Sequence, residues 1–404
     1  MEQGGKKFVF GDFFKERKGK GLTAVTAARR FLGRAAAFAI ASVFFAAVVL
    51  SFGGLEAPEK RGVAAAYAAG GSSYIAMEQT TNRTLYQSNA SARLPMASTT
   101  KIMTAIVAIE KNDISKKVKI PRAAVGIEGS SIYLKENEEL TMKDLLYGLM
   151  LMSGNDSAAA IAILTAGSIE GFAEMMNKKA EELGARNSHF VNPHGLHDAK
   201  HYTTAYDLAL ITCYALSNPV FQAVVSSERY IISDTGSGAG ARYLYNKNKM
   251  LRMYDGADGV KTGYTKLSGR CLVSSAKRNG MRVVVVVLNH SDMWNDSISL
   301  LNRSFENYKL TRVLGEEQAA TAAVDDGTKN SVRAVPPERY YPIRADERLS
   351  YEYSLKKVKA PVKKGSEIGK IAFSIDNRLI FEEKMYTLEG VKEKSILDHF
   401  KELF

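Results

Sequence analysis

Leu94-Pro95-Met96-Ala97-Ser98-Thr99-Thr100-Lys101-Ile102-Met103-Thr104 reads as a turn passing into a buried helix. Pro95 and the small residues after it suit the turn. From Ile102 the run of Ile, Ala, Val and Met suits a helix. Ser98 and Lys101 stand three residues apart, which places their side chains on one helical face. A serine hydroxyl attacks only when a base takes its proton, and an amine serves if burial or a neighbouring cation lowers its pKa. Alone, the pattern is far more often that of a capped amphipathic helix with an exposed lysine. The rest of the chain decides between them.

Upstream, Ser73 to Gln87 reads as a strand pair turning at Thr80-Thr81-Asn82-Arg83. Downstream, Leu140 to Met150 has helical apolar spacing with a cap at Thr141, and a second apolar helix is expected from Ala158. Further helices are expected at Glu170 to Leu183, ended by Gly184, and at Thr204 to Leu216. From Tyr230 the pattern turns to strands: Arg242 to Leu251, Gly259 to Gly263, Arg270 to Ala276 and Met281 to Asn289. Asn279-Gly280 is a hairpin signal, and Val283 to Leu288 reads as a central strand buried on both faces. A helix from Ile298 to Lys309 follows. Helices between an early and a late group of strands predict one sheet covered by helices. After Thr311 short strands and turns predict a small all-β region. The end of the chain, Ser395 to Phe404, reads as an amphipathic helix, packed on that region or lying on a membrane surface.

The chain has 404 residues, enough for two or three domains, with 46% hydrophobic and 24% charged residues, so wholesale disorder is excluded. Of the net charge of +12, residues 1–68 supply half, from 11 Lys+Arg against 5 Asp+Glu. No basic patch interleaved with aromatics argues for nucleic acid. Residues 35–52 form an 18-residue uncharged run behind Arg29, Arg30 and Arg34. That length and flank predict a signal peptide or membrane anchor, with everything after residue 52 exported. Small-residue cleavage sites lie at Ala64-Ala65-Ala66 and Ala66-Tyr67-Ala68. Cys213 and Cys271 lack metal-site spacing and read as buried thiols, or as one disulfide if exported.

Two more motifs matter. Ser153-Gly154-Asn155 falls on a loop between two helices, and Lys261-Thr262-Gly263 begins a late strand. Ser-x-x-Lys at a helix start, Ser-x-Asn between helices and Lys-Thr-Gly on a late strand, in that order, form the set found in penicillin-binding proteins and class A β-lactamases. Ser130-Ser131-Ile132-Tyr133-Leu134, Phe190-Val191-Asn192-Pro193-His194-Gly195-Leu196, His201-Tyr202-Thr203-Thr204 and Asp258-Gly259-Val260-Lys261-Thr262-Gly263-Tyr264-Thr265 extend the likeness. The chain resembles the low-molecular-mass penicillin-binding proteins that act as serine-type D-alanyl-D-alanine carboxypeptidases, over roughly residues 72–310.

The resemblance implies a mixed α/β (α+β) fold of the penicillin-binding/β-lactamase transpeptidase type, an antiparallel sheet covered by helices, with a small C-terminal all-β domain. The expected boundaries are a basic cytoplasmic tail at 1–34, a signal or anchor at 35–52, a linker at 53–71, a catalytic domain at 72–312 and the β domain at 313–404. It implies removal of the terminal D-alanine of peptidoglycan stem pentapeptides through a Ser98 acyl-enzyme, and acylation by β-lactams. Lys101 would be the base, kept neutral by Lys261 nearby. Ser153 would relay the proton to the leaving amine, and Asn155 would hold the stem-peptide backbone. Lys261 and Thr262 would bind the terminal carboxylate, Gly263 would allow close approach, and the N–H groups of Ser98 and Tyr264 would form the oxyanion hole. No cofactor is implied. His194, His197 and His201 belong to a structural loop of the family rather than to a zinc site.

One departure concerns the segment after the last core strand. Relatives carry an arginine there that helps bind the carboxylate, whereas this chain has Asn289-His290-Ser291-Asp292-Met293-Trp294-Asn295-Asp296. That role then falls to Lys261 and Thr262, or to Arg303 if it folds back. The Asn-x-x-x-Met-Trp form resembles the sporulation-linked branch. The competing readings are a D,D-endopeptidase acting on cross-links and a catalytically inactive wall-binding protein. A β-lactamase lacks support, because the chain shows no Glu-x-x-x-Asn element of the kind those enzymes place on a loop to activate the deacylating water, Glu174 and Asn177 having the wrong spacing.

Overall fold

A run of six apolar residues, Val283 to Leu288, has no face to give to water. In the computed structural model it forms the last six residues of β9 (Met281–Leu288), every residue of which is buried. The structure describes residues 71–401 apart from Ser237 and Ala239, so the tail, the apolar run and most of the linker lie outside the described residues. The main sheet has five antiparallel strands in the order β2-β1-β9-β8-β7. Its members are β1 (Ser73–Glu78), β2 (Thr84–Ser88), β7 (Ala257–Thr265), β8 (Gly269–Arg278) and β9. Two short ribbons flank it, β3 (Lys117–Lys119) with β4 (Glu139–Thr141), and β5 (Arg229–Ile232) with β6 (Arg242–Tyr245). β1 pairs along its whole length with Val283–Leu288 of β9, which closes the sheet between its early and late strands. Asn279 and Gly280 both take positive φ, 49° and 82°, the geometry of a tight hairpin turn that matches strand twist.

The alternation of β9 sorts two cores. Val284, Val286 and Leu288 join a large helical core, while Val283, Val285 and Val287 pack beneath α8 (Met293–Asn307) on the opposite face. The helical side comprises α1 (Lys101–Lys111), α2 (Met142–Leu151), α3 (Asn155–Ala166), α4 (Ile169–Glu182), α5 (Ala205–Ala215) and α6 (Pro219–Ser226), with a single turn, α7 (Met250–Met253), before β7. Thr141 caps α2 through a reciprocal box with Asp144, as its sequence promised.

Four boundaries differ from the sequence reading. α3 begins at Asn155 rather than Ala158, so the asparagine of the second motif lies in the first helical turn. The stretch read as strand to Leu251 ends at Tyr245, because Asn246 and Asn248 fold the chain into local side-chain-to-backbone turns that lead into α7. α8 starts at Met293 instead of Ile298: Asp292 caps it, accepting from the Asn295 N–H. The change of texture placed at residue 312 falls inside β10 (Tyr308–Leu314), which leaves α8 directly.

β10 pairs with β13 (Arg339–Arg344). The rest of the C-terminal region is a six-stranded sheet of β11 (Ala320–Asp325), β12 (Ser331–Val335), β14 (Leu349–Leu355), β15 (Val358–Lys359), β16 (Glu367–Ile375) and β17 (Arg378–Thr387). Phe373, fully buried, packs with Tyr341, Tyr351 and Phe381 at its centre. Arg83, in the β1–β2 turn, donates to the Pro342 carbonyl and to Glu347, and its guanidinium lies over the rings of Tyr308 and Tyr341 at 5.2 and 5.1 Å. The final helix, α9 (Ile396–Lys401), leaves Ile396 and Leu397 exposed, so the expected packing of these two residues on the β region is not observed. Among the described residues no single helix is long and apolar enough to cross a membrane.

Candidate active site

Ser98 sits in a short 3₁₀ turn, Ala97–Thr100, that runs into α1 at Lys101. The turn braces itself. Thr99 Oγ1 donates to the Met96 carbonyl at 2.7 Å and Thr100 Oγ1 to the Ala97 carbonyl at 2.8 Å. His201 stands against it, its Nε2 at 2.8 Å from Thr100 Oγ1. Thr100 has spent its proton on Ala97, and the Val191 N–H donates to His201 Nδ1, so Nε2 carries the imidazole hydrogen. Burial, with His194 adding to it, lowers the His201 pKa to about 3, and the ring works as a neutral strut.

Lys101 is fully buried. Its Nζ lies 3.0 Å from Ser98 Oγ, 2.7 Å from Asn155 Oδ1 and 2.6 Å from the His194 carbonyl oxygen. The last two partners can only accept. A neutral amine gives them its two N–H bonds and keeps its lone pair for the Ser98 hydroxyl. Burial is the largest influence holding the Lys101 pKa well below its ordinary value, followed by the charges of Lys261 and Lys247, with Asp156 opposing. The sequence reading credited Lys261 with this effect. The structure ranks burial above it and adds Lys247, a residue the reading missed.

The loop that supplies the His194 carbonyl is stitched to α1 a second time, by Thr104 Oγ1 donating to the Pro193 carbonyl at 2.6 Å. Asn192 folds it, accepting from the Gly195 N–H and donating to the Leu196 carbonyl. Burial and the Lys101 charge lower the His194 pKa to about 4. Among the described residues no group of three His, Cys, Asp or Glu could hold a metal ion.

Ser153 and Gly154 join α2 to α3. Ser153 is buried at φ 63°, a left-handed conformation uncommon for a serine, and its Oγ makes no hydrogen bond among the described residues. Asn155 has its carboxamide engaged at both ends: Oδ1 with Lys101, and Nδ2 donating to the Glu128 carbonyl at 2.5 Å, which leaves one N–H for a ligand. Asp156 ties down the facing loop, accepting from Ser131 Oγ and from the N–H groups of Ile132 and Leu134.

β7, the sheet edge, carries the third motif. Lys261 is fully buried, its Nζ donating to the Thr262 carbonyl at 2.9 Å, and burial together with Lys247 lowers its pKa to about 7. Thr262 is half-buried and Tyr264 exposed. Gly263 meets the serine turn, where a Cβ would lie 3.1 Å from the Met96 oxygen and 3.1 Å from the Ser98 nitrogen. The strand thus passes Ser98 with no space for a side chain. Arg303 does not fold back to this edge: it lies over the Tyr86 ring on β2, at the far side of the sheet.

A profile of the D-alanyl-D-alanine carboxypeptidase family matches residues 60–292. The chain belongs to that family. A profile of the penicillin-binding protein 5 C-terminal domain matches residues 307–393. The D-alanyl-D-alanine carboxypeptidase DacF of Bacillus subtilis is 31% identical over 344 residues, covering 81% of this chain and 88% of the relative. DacA of Escherichia coli is 28% identical over 359 residues, covering 82% and 87%. The structure of penicillin binding protein 5 from Haemophilus influenzae superposes with a TM-score of 0.67 at 28% identity, over 80% of this chain and 97% of that one. This carboxypeptidase has the mixed helix and sheet fold of the penicillin-binding proteins, and it is a serine-type hydrolase of the D-alanyl-D-alanine class.

Cys213 and Cys271 are both free and buried; burial pushes both thiols up, Cys271 to about 11. Of the site's parts, Lys247 falls in no quoted motif; His194 and His201 lie in segments that carry the family likeness, but the carbonyl contact of the one and the bracing role of the other come from placement and were not read from the sequence.

Proposed function

We propose that this carboxypeptidase removes the terminal D-alanine of peptidoglycan stem pentapeptides, with Ser98 as nucleophile and neutral Lys101 as its base. The observation that carries the assignment is the setting of the Lys101 amine, whose two fixed acceptors leave its lone pair to Ser98 at 3.0 Å. Ser98 Oγ attacks the carbonyl carbon of the penultimate D-alanine while its proton passes to Lys101. The tetrahedral oxyanion is met by the N–H groups of Ser98 and Tyr264. Ser153, with its hydroxyl uncommitted, carries the proton to the leaving amine, the C–N bond breaks and D-alanine departs. Water then cleaves the Ser98 ester. Lys261 and Thr262 take the substrate's terminal carboxylate. Asn155 holds Lys101 and offers its remaining N–H to the peptide backbone. Gly263 lets the peptide's edge approach β7. A β-lactam enters the same sequence and stops at the acyl-enzyme.

Residues 35–52 and their arginine-rich flank support export and association with the cell membrane, with the active site on the outer side. A reporter fused after residue 60 is expected to be active only outside the cytoplasm. For the chemistry, a fluorescent penicillin should label the protein covalently and Ser98→Ala should abolish labelling; labelling that persists in the variant removes Ser98 as nucleophile. Release of free D-alanine from a purified pentapeptide separates the carboxypeptidase from an endopeptidase, which would cut only cross-linked dimers.

A further inference from the structure

The ribbon of β5 and β6 turns an apolar face outward. Ile231 pairs with Tyr243 and Arg229 with Tyr245 across the strands. Tyr243 and Tyr245 are each 62% exposed and Ile231 is 54% exposed. Tyr133 is 81% exposed and sits at φ 60°. A bulky residue in that left-handed region is held there by its surroundings. The holder is Arg242 of β6, which donates to the Ile132 and Tyr133 carbonyls and makes a two-pronged pair with buried Glu138. Tyr133 and the ribbon are therefore clamped as one mount. The inner face is just as firmly seated: Leu244 and Ile232 enter the helical core, and Tyr230 stacks on Tyr147 at 3.7 Å with its hydroxyl donating to Asp144. Single exposed apolar residues are ordinary, but several on one stiff support are not.

Both sides of this patch run into the wall of the cleft. Tyr245 is two residues from Lys247, whose N–H donates to the Leu151 carbonyl and whose Nζ lies 3.4 Å from Ser130 Oγ. Ser130 accepts from the Asn155 N–H at 2.6 Å and stands three residues before Tyr133. We propose that Tyr133, Ile231, Tyr243 and Tyr245 form a subsite for the carbohydrate of the substrate polymer, stacking on the C–H faces of its hexosamine rings. The inference rests on the peptidoglycan reading above. A pyranose ring has an apolar, weakly positive face that suits the electron-rich face of a tyrosine, and the phenol hydroxyl keeps such a surface compatible with water between encounters. The reach also fits. Four stem residues on the acyl side span at most roughly 14 Å when extended, and the patch begins about 7 Å along the chain from Lys247. A membrane surface would suit exposed tyrosines too, but continuity with the cleft favours the sugar.

The test uses the full-length protein in detergent. Its probes are peptide-free glycan strands, stripped of stems by an amidase, and the sugar-free tripeptide diacetyl-L-lysyl-D-alanyl-D-alanine. The parent should co-sediment with the strands, and Tyr243→Ala/Tyr245→Ala should weaken that binding by about tenfold. Tyr243→Trp/Tyr245→Trp should restore it, and hydrolysis of the tripeptide, which carries no sugar, should be unchanged throughout. Equal strand binding by parent and double-alanine variant, or none by the parent, overturns the proposal. So does a tyrosine-dependent partition into phosphatidylglycerol vesicles without strand binding. Failure of all variants and the parent on the tripeptide would instead indict the catalytic reading.

Discussion

A single methyl group at Gly195 should disable the nucleophile without touching it. An ideal Cβ there falls 1.9 Å from the Ala97 carbonyl oxygen, 2.4 Å from its carbon and 2.8 Å from Thr100 Oγ1. Real Cβ atoms essentially never approach within 3.0 Å, so one backbone segment must retreat by about 1.1 Å from that 1.9 Å contact. Gly195 also holds φ 86°, which costs an alanine about 1 kcal/mol. Neither side can give harmlessly. Ala97 precedes Ser98, and His194, whose carbonyl fixes Lys101, precedes Gly195. Misplacing a reacting group by 1 Å costs on the order of 100-fold in rate. Overpacking and the strained φ together cost about 2–4 kcal/mol of stability. Gly195→Ala should therefore lower the second-order rate of acylation by a fluorescent penicillin about 100-fold, and lower Tm. Wild-type acylation with an unchanged Tm would refute the argument, because it would mean that the serine turn absorbs the clash at no cost.

Four other outcomes follow from the charges. The proposed mechanism needs Lys101 neutral and Lys261 charged, so kcat/KM should rise with pH as Lys101 loses its proton and fall above about 7 as Lys261 does; a profile flat through 7–9 would contradict this. A bound carboxylate raises the Lys261 pKa, so the falling limb of kcat should lie at higher pH than that of kcat/KM. Lys261→Met should bind substrate poorly yet stabilise the fold at pH 7 by on the order of 3–4 kcal/mol. Between about 7 and 10.5 the unfolded chain holds the Lys261 proton that the folded chain has released, so this residue's cost shrinks as pH rises and the gain should vanish above about 10.5 in pH-dependent denaturant melts. Arg242→Met leaves Glu138 buried and unpaired, which should cost about 3–5 kcal/mol in urea unfolding.

Much of this was legible in the sequence because it is local. Ser98 and Lys101 are a helical turn apart, the valine run of β9 admits only a strand buried on both faces, and Asn279-Gly280 admits a narrow class of turns. Two of the misread boundaries share one cause. Asn155 and Asp292 were read as loop residues, but an asparagine in a first helical turn and an aspartate at a cap are what a helix start requires. What stayed hidden is three-dimensional. Lys247 lies on a loop with no motif of its own, and His194 contributes a carbonyl, which any residue possesses. Arg303 was the alternative to Lys261 and Thr262 at the substrate carboxylate if it folded back, and the topology sends it to the other edge of the sheet.

The three lysines of the cleft have one more consequence. Among the described residues, none of Lys101, Lys247 and Lys261 pairs with a carboxylate, although two of them are fully buried. A protein folded for stability alone would have supplied a counterion. On the proposed mechanism that place is left to the peptide's own terminus, so the substrate would complete an ion pair that the chain leaves open. Recognition and fold stability are then one quantity measured in two ways, and a D-alanyl-D-alanine ligand should betray itself by raising the melting temperature even where Ser98 is absent.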